Sequence, residues 1–166
     1  MLKPHLWLGR GQFTGTYAPD STVGWTSYEQ SYQAYILYYA KLGHEIGVDL
    51  FCIGTEMRSF VQARPIYWNK LIDKVSDAFQ GPLTYAANWD EAEHVPFWDA
   101  LDYVGVDEYA PIAKKSGARE PELCAAWNTL AKDLEALSRR TGKRIILTEL
   151  VYRATRNAAM APATRA

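Results

Sequence analysis

Apolar residues along this chain fall into two kinds of stretch, short unbroken runs and longer segments spaced by three and four, with glycine and proline between them. "LKPHLWLG" (residues 2–9) predicts a strand, and the Gly-, Thr- and Pro-rich segment 10–25 predicts a long loop of the kind that often carries function. Ser27 and Gln30 form a candidate capping box, and Tyr28, Tyr32, Tyr35, Ile36 and Tyr39 continue at helical spacing until Gly43 or Gly47. "VDLFCIGTE" (48–56) is a continuous apolar run, as in a strand covered on both faces. A second helix is predicted over 65–79, with Pro65 near its start, Ile66, Leu71, Ile72, Val75 and Phe79 on one side, and Gly81-Pro82 closing it. Strands follow at 83–90, 102–111 and 143–150, and Leu123, Trp127, Leu130, Leu134 and Leu137 mark a third helix that ends at Gly142. After Tyr152 the period stops, so residues 153–166 read as an irregular tail.

Strands alternating with helices predict an α/β fold with a parallel sheet and right-handed crossovers. Two architectures fit: a doubly wound open sheet, which suits 166 residues, or part of an eight-stranded barrel, for which about 250 residues are typical. In both, the site lies at the carboxyl ends of the strands. Here those ends carry His5 and Trp7, Thr55-Glu56, Asn88-Trp89-Asp90, Asp107-Glu108-Tyr109, and Thr148-Glu149, which are expected to converge on one rim.

Glu56 and Glu149 stand out because each closes an otherwise apolar strand. A carboxyl at the mouth of a low-dielectric interior is costly to ionise, so its pKa rises, as a general acid requires. Two such acids can divide the cleavage of a glycosidic bond, one protonating the leaving oxygen and the other attacking the anomeric carbon when the carboxyls are about 5–5.5 Å apart. Each could instead cap the following helix or pair with a rim arginine such as Arg58 or Arg153. Asp90, Glu91, Glu93 and Asp99 read as ordinary solvated charges.

Composition narrows the partners. A net charge of -1 and a pI near 6.3 give no basic footprint for nucleic acid or an anionic membrane. No apolar stretch approaches the ~20 residues that span a bilayer, and "MLKPHLWLGRG" lacks the apolar centre of a signal peptide, so the chain reads as soluble with no compartment assigned. Six tryptophans and eleven tyrosines supply faces suited to sugars, although core packing accounts for most such residues. Cys52 and Cys124 are expected to be buried free thiols. His5, His44 and His94 lack the ligand spacing of a zinc site, and no Walker loop, GxGxxG or GxSxG is present, so no metal or cofactor is expected.

"LKPHLWLG", "FCIGTEM", "YAANWDEAEHVPFWDALDYVGVDEYAPI" and "RIILTEL" together resemble glycoside hydrolase family 113, retaining beta-mannanases on a (β/α)8 TIM barrel. The resemblance covers residues 2 to about 152 and implies a retaining hydrolase of beta-linked, mannan-type polysaccharide or oligosaccharide. With the five strands numbered 3 to 7 of such a barrel, Glu56 matches the acid/base at the end of strand 4 and Glu149 the nucleophile at the end of strand 7. Tyr109 matches an aromatic that hydrogen-bonds the nucleophile. Lys3-Pro4-His5, Trp7, Asn88 and Trp89 match positions that line sugar subsites, and Trp25, with the other rim tryptophans, is assigned to stacking on sugar faces. Thr55 stands where many relatives carry asparagine, and "TELVYR" lacks the glycine usual after the nucleophile.

The implied organisation is a partial TIM-barrel catalytic domain over residues 1–152 and an irregular tail over 153–166. Strands 1, 2 and 8 would be absent, leaving two open sheet edges through which the chain is expected to self-associate, and without which closure it is expected to be unstable or inactive. Barrel-like domains of phage-tail and gene-transfer particles carry similar motifs, so a non-catalytic or cell-wall-directed carbohydrate-binding or assembly domain is the alternative.

Overall fold

The computed structural model describes residues 1–152 and 157–162. Its centre is a four-stranded sheet, β1 (Phe51–Thr55), β2 (Leu83–Asn88), β3 (Tyr103–Glu108) and β4 (Arg144–Leu150), in the order β1-β2-β3-β4 with every pair parallel. The helices are α1 (Thr22–Glu45), α2 (Arg58–Ala63), α3 (Pro65–Ala78) and α4 (Glu120–Thr141). Strands adjacent in sequence are therefore adjacent in space, the order of a segment cut from a barrel and not of a doubly wound sheet, whose order reverses.

Four of the five expected strands form. The first does not: Leu2 makes a one-residue bridge to Phe51, its N–H donating to Leu50 O and its carbonyl accepting from Cys52 N–H, both at 2.9 Å. Pro4 follows and has no N–H to extend the ladder, so the chain leaves the sheet and winds through two short 3₁₀ turns, Gly9–Gly11 and Thr14–Thr16. Among the described residues no strand covers the outer edge of β4, where Ile145, Ile146 and Leu147 stay partly exposed.

α1 begins at Thr22, five residues before the expected start at Ser27. The cap is Ser21, whose Oγ accepts from Gly24 N–H at 3.1 Å, and Thr22, Val23 and Gly24 are weak helix formers that hid the first turn. α3 follows its expected bounds, but Ile66 faces solvent at 72% exposure while Trp68 is fully buried. Cys124, expected inside, lies on the exposed face of α4; Cys52 is buried. The β2–β3 crossover has no α-helix. Two 3₁₀ turns, Ala92–His94 and Trp98–Ala100, bury Phe97, Trp98 and Leu101 where a helix would otherwise cover the sheet.

The core lies between the sheet and its helices. Trp68 stacks on Phe97 at 5.3 Å and meets Tyr85 and Phe60 at 5.7 and 5.2 Å, so most aromatics are packing residues. Gly54 makes this possible, because a Cβ there would stand 2.8 Å from the Tyr32 hydroxyl and 2.9 Å from the Trp68 ring.

Candidate active site

Each expected strand end sends at least one residue to a common cleft, while Asp90 and Glu108 line a separate pocket. A cleft of about 510 Å³ is lined by His5, Trp7, Glu56, Asn88, Tyr109 and Glu149, together with residues of the loop that follows the Leu2 bridge. Trp25 and Trp89 are not on it. Trp25 packs against Phe60 at 5.6 Å and lies under the Arg64 guanidinium at 5.8 Å. Trp89 lines a separate pocket beside Glu108 and α4.

Glu56 is where β1 ends. Its φ of 50° is left-handed, rare for a residue with a Cβ, yet its N–H still donates to Ala86 O at 2.8 Å. Burial pushes its carboxyl up to about 8; the charges of Asp107, Glu149 and Glu91 push the same way, and Lys3 opposes them. Arg58 is not its partner, since that guanidinium pairs with Asp90 and stands 3.4 Å from Glu91 Oε2. Arg153 lies outside the described residues.

Glu149, near the end of β4, sits between donors. Lys3 Nζ donates to Oε1 and the Tyr109 hydroxyl to Oε2. Lys3 also reaches Asp107, 3.2 Å from Oδ1, and the Thr148 hydroxyl donates to that same oxygen at 2.6 Å. Burial disfavours the Lys3 ammonium, but the hydrogen bond to Glu149 and the charges of Asp107 and Glu149 outweigh it and raise its pKa. Burial raises the Asp107 carboxyl, against the Thr148 hydroxyl and Lys3. His5 is lowered, by burial first and then by Lys3, and stacks on Trp7 at 4.4 Å; Trp7 is 71% exposed and leaves its far face open. The Asn88 Oδ1 atom is buried with no hydrogen-bond partner among the described residues.

Three groups at or beside the cleft take contacts that the sequence did not assign to them. Lys3 was placed only in a subsite motif, not on Glu149. Asp107 had a signal: it stands two residues before Tyr109, so strand alternation puts both on one face. Glu91, read as a solvated charge, is 2% exposed and accepts from the Tyr85 hydroxyl at 2.9 Å. Among the described residues no group of three or more His, Cys, Asp or Glu is placed to hold a metal ion.

Parallel strands in sequential order with acids converging at their carboxyl ends define part of a (β/α)8 barrel of the glycoside hydrolase kind. The model of Glycoside Hydrolase Family 113 matches residues 2–164, and the chain belongs to that family. A GH113 beta-1,4-mannanase solved as a complex superposes with a TM-score of 0.80 at 23% identity, covering 95% of this chain and 48% of that one. The GH113 beta-mannanase AaManA from Alicyclobacillus acidocaldarius, in complex with ManMIm, gives 0.70 at 26% identity, covering 93% and 45%. Another GH113 beta-1,4-mannanase gives 0.72 at 24%, covering 87% and 43%. The chain thus spans about half the length of the solved structures it matches. No curated protein matches it.

Proposed function

We propose that this chain carries the catalytic pair of a retaining glycoside hydrolase that cleaves a beta-linked, mannan-type polysaccharide by double displacement. The observation that carries the reading is the contrast between two carboxyls on one cleft. Glu56 is half-buried with its carboxyl at about 8, so it holds a proton at neutral pH; Glu149 accepts from the Lys3 ammonium and the Tyr109 hydroxyl, which fix its carboxyl on the cleft.

In the first step Glu149 attacks the anomeric carbon and the bond to the leaving oxygen breaks, while Glu56 gives that oxygen its proton. Esterification removes the negative charge of Glu149, one of the lesser causes that raise Glu56 after burial and Asp107, so the carboxylate that Glu56 has become by giving up its proton is less disfavoured and serves as base. In the second step it takes a proton from water, whose oxygen attacks the same carbon and releases Glu149. Trp7 offers a stacking face, and Asn88 an acceptor for a sugar hydroxyl. The mannan-type assignment follows the family and the ManMIm complex of the Alicyclobacillus enzyme.

The test is hydrolysis of a beta-1,4-mannan oligosaccharide by the wild type, Glu149→Ala and Glu56→Ala. Both variants should lose turnover by at least about 10³-fold. Wild-type activity in either overturns the assignment. Binding without turnover in the wild type, unaffected by Glu149→Ala, would favour the non-hydrolytic alternative.

A further inference from the structure

Tyr85 and Glu91 lie outside the cleft and have no part in the chemistry above, yet they converge on the backbone that presents Glu56. The N–H of Met57 donates to the Tyr85 hydroxyl at 2.6 Å, and that hydroxyl donates to Glu91 Oε1 at 2.9 Å. Arg58 Nε stands 3.4 Å from Glu91 Oε2. Tyr85 is fully buried and Glu91 nearly so.

The cost of this arrangement argues that it does more than fill space. A carboxyl at 2% exposure is expensive to bury, and a phenylalanine beside an apolar residue would pack the same volume without it. What the polar pair supplies is a fixed acceptor for one peptide N–H. That peptide joins Glu56 to Met57, and its plane, together with the N–H of Glu56 on Ala86 O, sets the left-handed φ of 50° and hence the direction of the Glu56 side chain. Both anchors come from consecutive residues of β2, so the acid is held by its neighbouring strand.

We propose that Tyr85 and Glu91 are positioning residues for Glu56, a hydrogen-bonded relay that holds the 56–57 peptide and so aims the acid/base carboxyl into the cleft. The inference rests on the reading of Glu56 as the acid/base. The groups that face Glu56 electrostatically are Asp107 on β3, Glu149 on β4, Glu91 in the β2–β3 crossover and Lys3 beside the β1 edge. Loss of the Tyr85 hydroxyl frees the carboxyl toward water, and loss of the Glu91 charge removes a nearby repulsion; both lower the Glu56 titration midpoint.

The experiment uses the full chain with Tyr85→Phe, Glu91→Ala, Glu91→Gln and Glu56→Ala, assayed on a mannan oligosaccharide and on a 2,4-dinitrophenyl beta-mannoside, whose leaving group departs without a proton. Tyr85→Phe and Glu91→Ala should lower kcat/KM for the oligosaccharide about 10- to 100-fold while changing the dinitrophenyl substrate little. Glu91→Gln, whose amide oxygen still accepts the Tyr85 hydroxyl, should lose less than Glu91→Ala. Equal losses on both substrates, or none on either, overturn the proposal. Glu56→Ala separates this from the parent reading: if it shows no such split, the acid/base assignment itself fails. A second readout needs no turnover. The carboxyl ¹³C resonance that Glu56→Gln abolishes should titrate at a lower pH in Tyr85→Phe than in the wild type, and an unmoved midpoint overturns the proposal. Should Tyr85→Phe melt below the assay temperature, Glu91→Ala carries the two-substrate comparison, with the same selective loss on the oligosaccharide expected and equal losses, or none, decisive against the proposal.

Discussion

Glu56 donates its N–H to the carbonyl of Ala86 at 2.8 Å from a left-handed backbone, so the β1–β2 ladder continues one residue beyond the strand by bending a residue that has a Cβ. The same bend aims the carboxyl. Such a conformation costs about 1 kcal/mol relative to glycine. Glu56→Gly is therefore expected to be more stable than Glu56→Ala by about that amount, with neither expected to be active. Thermal melting of the two variants checks it, and equal midpoints would mean that the bend carries no strain.

A second prediction follows from the carboxyl. Its folded value of about 8 stands above the ordinary 4.5, so between those pH values the unfolded chain has lost a proton that the folded chain keeps. The unfolded state binds fewer protons there, and stability must fall as pH rises through that window. Glu56→Gln removes the effect. It should match the wild type near pH 4 and exceed it by about 1–3 kcal/mol near pH 8, after discounting for partial exposure. Denaturant titrations at the two pH values provide the check. Hydrolysis should show the same limb, declining as pH rises through about 8 while the acid form of Glu56 is lost.

Close backbone approach in the sheet yields a third. A Cβ on Gly105 would stand 2.3 Å from the carbonyl oxygen of Tyr85, inside the β2–β3 pairing that registers Asn88 opposite Asp107. Gly105→Ala should cost about 1–3 kcal/mol by forcing the strands apart. At Gly9 an added Cβ meets nothing within 4 Å, so Gly9→Ala should change stability by no more than about 0.5 kcal/mol. Denaturation midpoints of the pair test this, and a neutral Gly105→Ala would contradict the packing.

These sites differ in how openly the sequence declares them. β1 through β4 were legible because each carries a short apolar run bounded by turn residues, and Glu56 and Glu149 because each interrupts one at its end. The segment at residues 2–9 has the same composition, but one missing N–H at Pro4 outweighs it, and a bridge at Leu2 is all that remains. Glu91 was illegible for another reason. It sits in a polar turn, and only the fold brings the Tyr85 hydroxyl and Arg58 to it. Local pattern reports which face a residue takes within its own element; it carries no information about which distant side chain will meet it.

Lys3 is the clearest case of such a distant meeting, since it joins Asp107 and Glu149 from 104 and 146 residues away. Its side chain is 14% exposed, and that of Asp107 only 1%, so Lys3→Met leaves one buried carboxyl and one half-buried one without their cation. The neutral, similarly long methionine preserves volume and removes the charge alone. Repulsion between the two carboxyls then has no counterweight, and the folded state should lose about 1–3 kcal/mol at neutral pH. Activity should fall further than stability, by about 10- to 100-fold in kcat/KM, because Lys3 Nζ donates to Oε1 of Glu149 and helps to hold that carboxyl in place on the cleft. Steady-state kinetics and denaturation of Lys3→Met beside the wild type test the argument: the loss in kcat/KM should exceed what the loss of folded protein explains. Unchanged kcat/KM with reduced stability would make Lys3 a structural pin between β3 and β4 with no bearing on the nucleophile.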